Sequence, residues 1–320
     1  MSSWPPHYNG DGDFVYIMPA LTLRNDLLRK RLEQFTRMLH GLEDGDVRAL
    51  HRTRVASRRL REVLPVLHLD AELTRKLSRR LRKVTAQLGS VRELDVLMLL
   101  IDELHASDRY DSGALNRIAA LVDKDRKAAR TRLMAKLPMG ELRRLGTKLE
   151  SVAKKLESAE DAPRRPTPTN RTWRWAADAR VAHRAAGVSK ALEAAGAVYL
   201  PDRIHDVRIS LKKLRYALEV ASEGAAAGAA RDLRALKQEQ DVLGRLHDLQ
   251  MLIERARQVQ ARLTPPNLVV WRALDALVDT IEDECRRLHG RYMHDREAIS
   301  VLVLRLAGRA RVVARRRVSA

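Results

Sequence analysis

Hydrophobic positions recur along the chain with a helical period. In 46–67, Ala56, Leu60, Val63, Leu64 and Leu67 gather on one side of a helix. His51, Arg54, Arg58 and Arg61 lie opposite, within an arc of roughly 80° at about 100° per residue. Asp46 fits its N-cap, and Pro65 closes or kinks its end. Leu73, Leu77, Leu81, Val84 and Leu88 predict the next helix, 71–88, ended by Gly89, with a further helix beginning at Arg92. An earlier helix is expected over 21–40, and later ones over 114–136 and 141–158. Nothing here alternates with the period of a strand, so the chain is read as all-α.

The segment 159–172 has three prolines and no apolar period, which predicts an exposed linker near the middle of the chain. Beyond it the pattern returns. Helices are expected over 173–195 and 201–221, the second opening on Pro201. That second helix carries His205, Arg208, Lys212 and Arg215, the same arc displaced by 154 residues. Arg231, Arg234 and Lys237 then correspond to Lys76, Arg79 and Arg82, and Leu243-Gly244 to Leu88-Gly89, at an offset of 155. Two more helices follow Pro265-Pro266, parted near Gly290. Apolar, basic and glycine positions keep register together, which argues for two repeats, 20–158 and 173–315, in one domain behind a flexible segment 1–19.

Composition narrows the partners. Sixty-one Lys and Arg against 41 Asp and Glu give a net charge of +20 and a pI near 10.7, so a polyanion is the expected ligand. Only 4% of residues are aromatic, and no zinc-finger, RNP or basic-zipper pattern occurs. The lone Cys285 excludes an internal disulfide and is expected to be buried. Without a signal-like start or a long apolar run, the chain reads as a cytoplasmic protein with no membrane span.

The paired helices resemble the CHAD family, the conserved histidine α-helical domain. The likeness rests on His51-x-x-Arg54-Val55-Ala56-x-Arg58-Arg59-Leu60-Arg61 and Leu88-Gly89-x-x-Arg92-x-Leu94-Asp95-Val96. Their echoes are His205-x-x-Arg208-Ile209-x-x-Lys212-Lys213-Leu214-Arg215-Tyr216 and Leu243-Gly244-x-x-His247-Asp248. Two departures stand out: Glu93 replaces the usual Asp, and Leu249-Gln250 lacks the second acid. The resemblance implies two pseudo-symmetric helical bundles, about six helices per half, around a basic groove or pore. It further implies binding of inorganic polyphosphate without chemistry, with polyphosphate granules as one setting. The ExExK signature of the CYTH phosphohydrolases sometimes fused to such domains is absent.

The expected polyphosphate contacts are His51, Arg54, Arg58, Arg59, Arg61, Arg79 and Arg82 in the first half. In the second they are His205, Arg208, Lys212, Lys213, Arg215, Tyr216, Arg234 and Lys237. Arg supplies forked donors, Lys a mobile charge, and His a donor that an anion makes cationic. Arg92, Glu93, Asp95, His247 and Asp248 read instead as structural residues near a helix start. No catalytic residue, metal or cofactor is expected. Arg54 and Arg58 would repel a divalent ion from His51, and the doublets His205-Asp206 and His247-Asp248 lack the downstream Asp that an HD-type phosphohydrolase needs. A nucleic-acid-binding basic helical protein stays open as the alternative, supported by the charge and the basic stretch 311–317.

Overall fold

A computed structural model describes residues 24–136, 139–161, 169–223, 228–263 and 267–318; side chains are described for 24–136, 139–159, 173–223, 229–263 and 267–308. Among these residues the chain is all-α. Its helices are α1 (Arg24–Thr36), α2 (Leu39–Glu43), α3 (Val47–Val63), α4 (Ala71–Gln87), α5 (Gly89–Ala106), α6 (Ser112–Lys136) and α7 (Met139–Asp161). The second half supplies α8 (Thr169–Ala195), α9 (Pro201–Ala221), α10 (Gly228–Ala261) and α11 (Leu268–Val318). The expected flexible segment 1–19 lies outside the described residues. Of the expected linker, 159–161 belong to α7 and 169–172 to α8, and 162–168 lie outside the description.

The two motif helices form where their local signals place them. The Asp46 carboxylate accepts from Arg48 N at 3.1 Å and Ala49 N at 2.9 Å, filling two donors that the first turn of α3 leaves open. Pro65 sits in a 3-10 turn, Leu64–Val66, that ends the helix. In α9, Pro201 occupies the first turn, where its missing N–H costs nothing.

The expectation of about six helices per half needs correction, because among the described residues the second half is built from four. Gly244 does not divide α10, and Gly290 does not divide α11. A glycine ends a helix when it adopts the left-handed conformation, as Gly196 does just after α8 with φ 61°. Gly244 and Gly290 keep helical backbone, and the buried residues Leu243, Leu246 and Leu249, or Tyr292 and Ile299, carry the helix past them. Each glycine costs only about 1 kcal/mol relative to alanine, less than those buried side chains contribute.

Two apolar cores result, and these long helices join them. The first contains the α3 residues Ala56, Leu60 and Val63, and takes in Leu249, Leu252 and Ile253 of α10 and Leu274, Val278 and Ile281 of α11. The second contains Val207, Leu211, Leu214 and Leu218 of α9, with Leu236, Leu243 and Leu246 of α10 and Tyr292, Ile299 and Val303 of α11. The apolar backs of α3 and α9 thus belong to different cores, yet the two helices pack against each other. Cys285 is buried in the first core, and burial pushes its thiol up to about 11. Among the described residues no helix is long and apolar enough to cross a membrane.

Candidate polyanion-binding site

Between α3 and α9 lies a cavity of about 560 Å³. His51, Arg54, Arg58 and Arg61 line it from α3, and His205, Arg208, Lys212, Lys213 and Tyr216 from α9. Two further helices close it: α5 contributes Arg92 and Glu93, and α10 contributes His247 and Asp248. Seven Arg and Lys side chains therefore meet three acids, Glu62, Glu93 and Asp248.

Those acids neutralise little of the charge. Glu62 is spent on residues outside the cavity, receiving Arg180 Nε at 2.9 Å and Arg184 Nη2 at 2.6 Å. Glu93 stands 3.8 Å from Arg54. Burial pushes the Asp248 carboxyl up, against the pull of Arg208, Arg92, Lys212 and Arg245. Among the described residues Arg58, Arg61, Arg208, Lys212 and Lys213 make no ion pair, and the buried Arg208 Nε has no hydrogen-bond partner. An anion in the cavity would give this buried donor an acceptor.

Burial first, and then the crowding of like charges, lowers the pKa values of the cavity walls. Burial, then Arg208, Arg58 and Arg54, lowers Lys212 from 10.5 to about 7. Burial and Arg58 lower Arg54 to about 10. His247 falls to about 4 through burial, Arg208 and His205. His51 and His205 are lowered as well, mainly by burial and then by Arg92 and Arg208 respectively. Charges on α3 act on Lys212 of α9, so the two walls share one electrostatic environment.

Local contacts hold each wall in place. Arg54 Nη1 donates to Thr85 O at 3.0 Å, over the start of α5. A Cβ at Gly89 would lie 2.5 Å from that nitrogen, so the bare backbone is what lets the guanidinium pass. Arg92 Nε donates to His51 Nδ1 at 2.9 Å, which places the proton of the neutral ring on Nε2. In the second half His205 Nδ1 lies 3.2 Å from His247 Nδ1, so one ring donates and the other accepts. Arg92 and His247 are the pair related by 155 residues, and each meets the motif histidine of its own half.

Several expected contacts lie elsewhere. Arg59 and Arg215 both reach Glu219, and the Arg215 guanidinium lies 4.9 Å from the Tyr216 ring centroid, so both are held outside the cavity. Tyr216 is buried and lines the cavity. Arg79 and Arg234 are exposed, and Lys237 pairs with Asp241 at 2.7 Å. Arg82 lines a side cleft with Arg54 and Arg61. Conversely, Arg92, His247 and Asp248, read from sequence as structural, stand in the cavity wall. Their signal was the 155-residue offset that also relates Leu88-Gly89 to Leu243-Gly244. The basic stretch 311–317 falls in α11, but its side chains lie outside the described residues.

The family model for the CHAD domain matches residues 26–257. The chain belongs to the CHAD domain family. No curated protein matches it. Among solved structures it is similar to the CHAD domain from the plant Ricinus communis, with 22% identity, a TM-score of 0.56, and coverage of 87% of this chain and 89% of that one. It is also similar to PptA from Streptomyces chartreusis, with 21% identity, a TM-score of 0.50, and coverage of 88% and 97%. At these identities the likeness carries the fold. The region matched by the family model contains every residue that lines the cavity.

Proposed function

We propose that this CHAD domain binds inorganic polyphosphate in the cavity between α3 and α9, and binds it without turnover. The observation that carries the reading is the convergence of seven Arg and Lys side chains from three helices on one recess, of which only Arg54 has an acid partner among the described residues. A thin polymer with one charge per phosphate supplies the missing acceptors, and charge-assisted bonds to phosphate oxygens are among the stronger polar contacts. Counterion release adds a favourable term. Nucleic acid fits less well. A duplex presents a broad surface to a concave site, and a single strand wants open aromatic faces, whereas Tyr216 is buried beneath Arg215. Association with polyphosphate granules in the cytoplasm would use the same surface.

The test is a titration of long-chain polyphosphate against duplex DNA as competitor at about 150 mM salt, where nonspecific DNA contacts fade. Polyphosphate is expected to be retained, and replacing Arg54, Arg58, Arg208 and Lys212 together by Glu to abolish retention while far-UV helicity stays. Preference for DNA, or binding that survives the four substitutions, would remove the assignment. Phosphate release during incubation would contradict the absence of turnover.

A further inference from the structure

A second basic recess adjoins the central cavity. It is about 210 Å³ in volume and lies between α8 and α9, lined by His183, Arg184, Gly187 and Lys190 of α8 and by Ser210 and Lys213 of α9. No acidic side chain lines it. Lys213 lines both recesses, and Arg184 donates to Glu62, which lines the central cavity. One cationic wall therefore serves both spaces.

The α8 sequence fits a surface kept clear for a ligand. His183, Gly187 and Lys190 have i, i+4, i+7 spacing, which puts them on one face of the helix. Glycine inside a helix costs about 1 kcal/mol relative to alanine. At Gly187 no packing neighbour demands it, since nothing lies within 4 Å of where a Cβ would stand. The result is a strip of bare backbone flanked by an exposed imidazole and an exposed ammonium, with the Ser210 side chain across from it. Burial, and then Arg184 and Arg61, hold the Lys213 ammonium below its ordinary range, against the pull of Glu62 and Asp206.

We propose that the α8–α9 recess is a second phosphate-binding segment, which receives the continuation of a polyphosphate chain too long for the central cavity as it passes Lys213. The proposal rests on polyphosphate binding in the central cavity. It makes chain-length discrimination a property of α8: short oligomers occupy the centre, and longer ones gain the contacts of His183, Arg184 and Lys190.

Triphosphate and long-chain polyphosphate, each titrated against the wild type, Lys190→Glu and Gly187→Leu, separate the two claims. Lys190→Glu reverses a charge at an exposed position, and Gly187→Leu fills the strip without altering charge. Each variant is expected to bind triphosphate within about twofold of wild type and long-chain polyphosphate at least tenfold more weakly. Lys190→Glu should also flatten the salt dependence of long-chain binding by about one counterion. Long-chain affinity that falls no more than triphosphate affinity in either variant overturns the second segment and leaves the central site standing. Failure of the wild type to bind either ligand overturns the central reading and the proposal with it.

Discussion

Lys212 is where the structure sets stability against binding most directly. Its ammonium sits among Arg208, Arg58 and Arg54, and its pKa falls from 10.5 to about 7. At about 1.4 kcal/mol for each tenfold change in proton affinity, that fall caps the cost of keeping it charged near 5 kcal/mol. The cavity opens to solvent, which screens part of that, so about 2 kcal/mol is the working figure. Lys212→Met keeps the stem and removes the charge. For 320 residues at ~2.1 cal/mol/K each, 2 kcal/mol corresponds to a rise in Tm of about 3 °C for the free protein at pH 7. The same change removes a charge-assisted contact worth about 1.5–3 kcal/mol, so polyphosphate should bind roughly 10- to 100-fold more weakly. The pH dependence supplies the control. The folded pKa lies below the unfolded one, so the unfolded chain holds more protons between about pH 7 and 10.5 and wild-type stability rises with pH across that window. The advantage of Lys212→Met should therefore be largest at pH 7 and fade by about pH 10. Thermal melts at both pH values, with and without polyphosphate, decide the matter. A variant no more stable than wild type at pH 7, or equally advantaged at pH 10, would refute the reasoning.

Two other outcomes follow from the same walls. An anion favours the protonated forms of Lys212, His205 and His247, so binding takes up protons. Affinity should then fall as pH rises, from about pH 4 upward through His247 and from about pH 7 upward through Lys212; calorimetry in buffers of different ionisation enthalpy would show the uptake, and an affinity flat from pH 5 to 9 would contradict it. Gly89→Ala places a methyl against Arg54 Nη1 and should cost several-fold in affinity with little change in helicity, read by titration and circular dichroism; unchanged affinity would mean that Arg54 does not need the Thr85 carbonyl.

The two motif helices were legible in the sequence because local chemistry specifies them. Asp46 caps α3, Pro65 closes it and Pro201 opens α9, and none of these needs a distant neighbour. The cationic arc was legible for the same reason, since helical spacing alone puts His51, Arg54, Arg58 and Arg61 together. What periodicity could not resolve is direction within a crowded face. Arg59 and Arg215 follow their motifs in sequence but turn to Glu219, a partner set by how α3 docks on α9. By periodicity alone Arg92 and His247 fall at helix starts, because Gly89 and Gly244 both look like breaks. α5 does begin at Gly89, whereas Gly244 keeps helical backbone inside α10. Only the docking of α5 and α10 against the motif helices brings those side chains to His51 and His205.

The long helices that erase those breaks also decide how the protein can come apart. α10 gives its first part to one core and its second to the other, and α11 does the reverse. A protease cut between α7 and α8 would therefore release no functional half. The first fragment would lose the α10 and α11 side chains that complete its core, and the second would carry them exposed. The two pieces should stay together as a nicked complex, with the cavity still walled from both sides, until denaturant separates them in a single step.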